Sequence, residues 1–269
     1  MLRDKDILVK PQEASRPVKI DTVTLSHLIA LHAHGIYVAD INPDNQRVKF
    51  KIKGDYFSAR YGGPSADLHV MIETYVDALY DGDYSGMSVI DIGGYIGETA
   101  ILFAQKGAKR IFCVEPAPDN LILLHQNVSQ SSLQDRIVII EAAVMSGDGR
   151  MGFYTDQAHY SAFHAAEFHE IMRVYLSDAV LIDVEAISFG RLLEYTGLEE
   201  VDLVKMDCEG AEYDILLNTP ESVLRRVRRY IIEYHNGSDS LVKRLNSLGY
   251  KVNDKLRFGQ IGLIYAEQS

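Results

Sequence analysis

The chain has 269 residues, enough for one large domain or a domain with a modest extension, and 47% of them are hydrophobic, ample for a sizeable core. Its 27 basic and 38 acidic residues leave a formal charge of −11 with no long block of either sign. The average field therefore repels phosphates and counts against nucleic acid as the main partner, although a local patch on an acidic chain can still bind RNA.

In chain order, residues 1–45 have weak periodicity apart from LSHLIALHAH (25–34), which predicts a helix around 24–34. RVKFKI (47–52) and YFSARY (56–61) flank Lys53-Gly54-Asp55 and predict a β-hairpin. Apolar residues at helical spacing predict a helix over 66–79. Then the rhythm changes. MSVIDI (87–92) and RIFCVEP (110–116) are short apolar strands, followed by helical stretches to Gln105 and over DNLILLHQNV (119–128). RIVIIEAAV (136–144) is a third strand. After an irregular or inserted region, VDLVKMD (201–207) and YIIEYH (230–235) are two more, each with a helical segment behind it. GYKVND (249–254) and IGLIYAE (261–267) end the chain as a hairpin. Alternating strands and helices with near-continuous apolar strands predict an α/β fold, a doubly wound and mostly parallel sheet covered on both faces. Residues 1–65 are expected to form a small N-terminal extension, and residues 66–269 the main domain.

Cys113 and Cys208 sit in apolar stretches, without the spacing of a disulfide framework or a zinc site, which suggests a reducing compartment. The first residues lack the apolar core of a signal peptide, and no run approaches the ~20 apolar residues of a membrane helix. The expected location is cytoplasmic, with no membrane partner.

In such sheets ligands bind where the strands end, near the switch in strand order. The polar residues at those ends are Asp91, Glu115, Glu141, Asp207, Glu233 and His235. The first strand runs into D-I-G-G-Y-I-G-E-T (91–99) and then a helix. A nicotinamide fingerprint ending at Gly97 needs a glycine where Ile92 stands. Asp91 in front of the turn suits a ligand carrying an ammonium and a sulfonium better than a pyrophosphate. Glu115, at the next strand end, is placed to accept hydrogen bonds from ribose hydroxyls, and Pro116 fits a turn that fixes it. Lys205 and Asp207 lie two apart and point to the same side of their strand. Glu209 and Glu212 follow in a helix's first turn, where the dipole favours acids.

Taken together, D-L-V-K-M-D-C-E-G-A-E (202–212), the glycine turn and the stretch E-P-A-P-D-N (115–120) resemble the motifs of the FkbM family of S-adenosylmethionine-dependent methyltransferases. The resemblance covers roughly residues 88–233. It implies a seven-stranded class I methyltransferase sheet, Rossmann-like, with S-adenosylmethionine as cofactor and usually O-methylation of a small molecule or glycan. It also assigns the site. Asp91 and Gly93, with Gly94 and Gly97 in the same turn, would hold the methionine end, Glu115 the ribose, and Glu141 with Ala142 the adenine edge. Asp207 would face the transfer site, and Asn120 would brace the loop behind Glu115. Family members more often read D-x-G-A-N-x-G, so Gly94 and Tyr95 depart from the pattern here.

A hydroxyl acceptor must lose a proton, and the candidate bases are Asp207 and His235, with Glu233 behind them and Lys205 orienting the acceptor or pairing with Asp207. A histidine base of ordinary pKa makes the rate fall below about pH 6.5. Asp207, Glu209 and Glu212 offer oxygen ligands for Mg²⁺, but the helix start accounts for the last two, and no metal is expected. Arg225, Arg226, Arg228 and Arg229 are expected to be a solvated helix end. His159, His164 and His169 are five apart and off helical spacing for a metal cluster, and 156–173 suits a lid. The alternatives are an RNA-directed methyltransferase, a nicotinamide oxidoreductase and a non-catalytic cofactor-binding module.

Overall fold

The computed structural model describes residues 7–11, 17–62, 66–156, 162–164 and 179–269. The lid expected over 156–173, and with it His159 and His169, lies almost wholly outside them.

The N-terminal part contains β1 (Ile7–Val9), β2 (Val18–Ile20), α1 (Thr22–Ala33), β3 (Ile36–Asn42), β4 (Arg47–Ile52) and β5 (Asp55–Arg60). Asp21 caps α1, its carboxylate accepting from the Thr24 amide at 2.7 Å. The expected hairpin is β4–β5, with Lys53 and Gly54 both at positive φ in its two-residue turn. It is joined by β3 in a three-stranded antiparallel sheet. Val48, Phe50, Phe57 and Ala59 of this sheet are buried in the same core as Phe103 and Leu124 of the helices that follow. Burial of side chains like Phe50 and Phe57 contributes roughly 1.5–3 kcal/mol each.

The main sheet follows the expected order of strands. α2 (Asp67–Tyr75) leads into β6 (Ser88–Ile92), α3 (Glu98–Gln105), β7 (Arg110–Val114), α4 (Pro118–Ser129) and β8 (Ile137–Ile140). The run 136–144 is not one strand. It breaks at Glu141–Ala142, and β9 (Ala143–Met145) leaves for a second sheet with β10 (Gly149–Asp156), β11 (Ala162–His164) and β12 (Ala179–Ser188). The described residues of the region expected to be irregular or inserted are thus largely β-structure. α5 (Phe189–Thr196), β13 (Val201–Met206), α6 (Ala211–Asn218), α7 (Glu221–Leu224), β14 (Val227–Tyr234), α8 (Asp239–Ser247), β15 (Tyr250–Phe258) and β16 (Ile261–Gln268) complete the chain.

Seven strands are ordered β15-β16-β14-β13-β6-β7-β8. β8, β7, β6, β13 and β14 are mutually parallel, and β16 runs against both its neighbours. β6 to β8 step outward in one direction, and β13 starts again on the other side of β6. That switch point lies between β6 and β13, where Asp91 is in register with Lys205. One face of the sheet shares a core with α1–α4 and the N-terminal sheet, and the other with α5, α6 and α8. This is the doubly wound, seven-stranded class I arrangement. No helix among the described residues is long and apolar enough to cross a membrane.

Candidate functional site

At the switch point the chain leaves β6 through Gly93, Gly94, Tyr95 and Ile96 and enters α3 at Gly97. The turn passes so close to the end of β13 that a Cβ on Gly93 would lie 1.8 Å from the Asp207 carbonyl oxygen. Gly94 packs on the Cys113 sulfur of β7, and Gly97 precedes α3 at φ 92°. Asp91 is sealed beneath the turn. It accepts from the Thr99 hydroxyl at 2.6 Å, and its other oxygen is 3.2 Å from the Lys205 ammonium. Lys205 also donates to the Gly93 carbonyl at 2.8 Å, tying β13 to the turn. Burial would lower the Lys205 pKa, but Asp91, Asp207 and Glu98 outweigh it and keep the ammonium charged.

Tyr95 has φ 47°, in the left-handed region that a bulky side chain rarely adopts. Asparagine, usual in the family, tolerates that conformation; the tyrosine is held by both ends. Its amide donates to Glu115 Oε2 at 3.0 Å, and its hydroxyl donates to Asp67 Oδ1 at 2.7 Å. Asp67, fully buried, also takes the Arg60 guanidinium at 2.8 Å, and Arg60 donates onward to Asn120 Oδ1 at 2.8 Å. Asn120 in turn donates to Glu115 Oε1 at 3.2 Å, as does the Ala117 amide at 2.9 Å. A closed ring of buried hydrogen bonds therefore links β5, α2, the glycine turn and α4 around Glu115. Burial pushes Glu115 up to about 7 against those donors.

The ends of β13 and β14 carry the third group. Asp207 is part exposed, with Oδ2 3.8 Å from Lys205 and Oδ1 3.9 Å from His235 Nε2. Glu209 lies 3.5 Å from the same nitrogen. On the other side of the ring, His235 Nδ1 donates to the buried Glu212 at 3.2 Å. Burial alone would lower the His235 pKa, but the Glu212 hydrogen bond and the three carboxylates push it up to about 10. His235 is therefore a cation at neutral pH. The base role and the rate loss below pH 6.5 expected of an ordinary histidine do not follow from this environment. Asp207, Glu209 and His235 also bring one ligand atom each within 4.8 Å of one another, a spacing compatible with a metal ion.

These groups surround a cleft of about 860 Å³, part of it open to solvent. The ends of β7 and β8 bring Val114, Glu115, Pro116 and Ala142 to it, the end of β13 on the other side of β6 brings Asp207 and Glu209, and Tyr95 and Glu98 line it as well. No lysine or arginine is among the described lining residues, against four carboxylates. Of the expected cofactor contacts, Gly93, Glu115, Ala142 and Asp207 line it, whereas Asp91, Gly94 and Gly97 build the turn beneath. Glu141 points outward, its carboxylate exposed and 2.8 Å from His125, because the strand break turns Ala142 inward instead. Lys205 and His235 stand behind Asp207. Glu98, Tyr95, Arg60 and Asp67 were not singled out as site residues by sequence. A glutamate opening the helix E-T-A-I-L-F-A, whose residues are buried all round, was a usable signal for Glu98. The four arginines are each tied locally, Arg226 to the Leu198 and Glu199 carbonyls, Arg228 to Glu200, Arg225 to the Leu248 carbonyl and Arg229 to the Met87 sulfur. They form no free basic patch.

A doubly wound sheet with a glycine turn at its switch point, a carboxylate at the next strand end and a cleft whose described lining holds no lysine or arginine defines a class I fold suited to a cationic ligand. The Methyltransferase FkbM domain matches residues 91–252, and the chain belongs to that family of S-adenosylmethionine-dependent methyltransferases. The AMB antimetabolite synthetase AmbE of Pseudomonas aeruginosa is 24% identical over 203 residues, 64% of this chain and 10% of that protein. The 2-O-methyltransferase NoeI of Sinorhizobium fredii is 27% identical over 155 residues, 54% of this chain and 62% of NoeI. The 31-O-demethyl-FK506 methyltransferase FkbM of Streptomyces tacrolimicus is 25% identical over 178 residues, 58% of this chain and 68% of that enzyme. The chain thus spans a tenth of the first relative's length and less than two thirds of the second's.

Proposed function

We propose that the chain methylates a hydroxyl oxygen of a small molecule or sugar. The observation that carries the reading is the cleft lining: four carboxylates, no lysine or arginine, and an apolar wall beside Glu115. Such a lining fits S-adenosylmethionine, with its sulfonium, ammonium, ribose diol and flat base, and opposes a pyrophosphate. The names of NoeI and the FK506 enzyme, both O-methyltransferases, support the choice of oxygen as acceptor.

In this reading Glu115 receives the ribose hydroxyls. A carboxylate has about four acceptor sites, and three donors already engage Glu115, so capacity remains. Ala142, Val144 and Met151 flank the base. Bound there, the cofactor supplies an electrophilic methyl group. The chain must align an acceptor oxygen against it, where positioning is worth several kcal/mol, and take up the hydroxyl proton. Asp207 takes that proton, and Lys205 and His235 fix the orientation of its carboxylate from either side. The acidic edge repels phosphates, which disfavours RNA as acceptor. Incubation with methyl-labelled S-adenosylmethionine across hydroxylated metabolites, sugars and RNA tests this. Label in an ether of a small molecule or sugar is expected; label in RNA alone would overturn the acceptor class.

A further inference from the structure

Resting on the cofactor reading above, we infer that Glu98 is the seat of the α-ammonium of the cofactor's methionine moiety. Glu98 is 1% exposed, yet it is among the residues that line the cleft, and its buried Oε2 has no hydrogen-bond partner. A buried carboxylate oxygen left without a donor costs on the order of several kcal/mol, so one held beside a ligand cleft calls for a donor that arrives with the ligand.

The surroundings identify that donor. Burial first, and then Asp91 and Asp67, push the Glu98 carboxyl up to about 8 against the pull of Lys205, so a cation arriving beside it restores the charged form where a hydroxyl or a neutral amide would not. Lys205 is the nearest fixed cation, but its ammonium is committed to Asp91 and the Gly93 carbonyl. Asp91, the other acid of the first motif, lies beneath the turn and does not line the cleft; its Oδ2 accepts from Thr99, and its Oδ1, also without a hydrogen bond, stands 3.2 Å from the Lys205 ammonium. Glu98 therefore offers the ammonium an oxygen that Asp91 does not.

Position fits the same ligand. Glu98 is the first residue of α3, directly after the glycine turn, and it lines the same cleft as Glu115. A nucleoside with its ribose at Glu115 extends its amino-acid end along that cleft. An α-amino acid is a zwitterion, and the start of α3 presents complementary charges to both of its ends. The first-turn amides and the helix dipole favour its carboxylate, and Glu98 favours its ammonium. The Tyr75 hydroxyl, donating to the Glu98 carbonyl at 3.2 Å, fixes the helix start from the α2 side.

The test compares two ligands that differ only beyond the sulfur. S-adenosylhomocysteine carries the amino-acid end; 5′-methylthioadenosine keeps the adenine, ribose and sulfur without it. Calorimetry should show Glu98→Gln weakening S-adenosylhomocysteine by about 10- to 100-fold, the loss typical of one hydrogen bond between charged groups, while 5′-methylthioadenosine changes less than about threefold. Glu98→Met, of similar volume, should give the same pattern and stands in if the glutamine variant does not fold. On the ligand side, deaminated S-adenosylhomocysteine should bind the wild type and Glu98→Gln alike, which closes a double-mutant cycle. Equal weakening of both ligands, or no weakening of either, would overturn the assignment. Binding of neither ligand by the wild type would instead sink the cofactor reading itself.

Discussion

The two ends of the cleft are built on opposite electrostatic terms. At the nucleoside end Glu115 meets three donors from three segments, and the ring through Tyr95, Asp67, Arg60 and Asn120 leaves it one orientation. At the transfer end Asp207, Glu209 and Glu212 share one histidine, Asp207 and Asp91 share one lysine, and Glu98 keeps an oxygen unpaired. The first end is already satisfied and, in the proposed reading, recognises shape and hydroxyls. The second is short of positive charge and is completed by what binds. Preorganisation and electrostatic deficit are thus separated along one cavity, and variants at the two ends should fail in different ways.

The largest effect is expected at the transfer end. Asp207→Asn should lower kcat by roughly 10²–10⁴-fold with cofactor affinity much less affected, because it removes the proton acceptor. With His235 held protonated well above neutrality, it should contribute nothing to the profile between pH 7 and 6, where Glu115 and Glu209 titrate, so the profile of His235→Gln should run parallel to the wild type there. Steady-state pH profiles check both points; a drop near 6.5 present in the wild type and absent from His235→Gln would restore His235 as the base.

Next comes the ring that supports the nucleoside end. Arg60→Ala leaves Asp67 buried without its cation and should cost about 3–5 kcal/mol of stability, read by denaturant unfolding. Arg60 belongs to β5, so a change of that size would tie the N-terminal sheet to the cofactor loop, and a loss under about 1 kcal/mol would separate them.

Those two residues also mark where the sequence stops being legible. Strands such as 87–92 and 201–207 show themselves because both faces are buried and the residues are apolar throughout. The β4–β5 hairpin shows itself through Lys53-Gly54. Arg60, Asp67, Tyr95 and Asn120 meet across 60 residues of chain, and no local period records such contacts. The break at Glu141–Ala142 was hidden for another reason: β8 and β9 are both apolar and read as one run, although they pair in different sheets. Glu98 was masked by a general rule, since an acid in a helix's first turn already has a structural reason to be there.

Smaller effects sharpen the contrast between Glu115 and Glu98. Glu115→Ala should weaken S-adenosylhomocysteine and 5′-methylthioadenosine equally, by about 1–3 kcal/mol, because both carry the ribose. Selective loss of one ligand would assign Glu115 to the wrong end. In the apo protein, burial pushes Glu98 up to about 8, above its unfolded value. The stability tied to that group is fully present below the ordinary glutamate range and is lost as pH rises through about 8. Glu98→Gln does not titrate, so its Tm should gain on the wild type by a few degrees, on the order expected for one or two kcal/mol, between pH 5 and 8.5. A constant difference across that range would mean that the carboxylate is not buried in its charged form.

A carboxylate-lined cleft whose described residues include no lysine or arginine should select a cationic nucleoside over a pyrophosphate. Isothermal titration of the wild-type chain with S-adenosylhomocysteine and with NAD, side by side at pH 7.5, tests it most directly. The account predicts a saturable isotherm for S-adenosylhomocysteine and no heat of binding for NAD; binding of NAD without S-adenosylhomocysteine would contradict it.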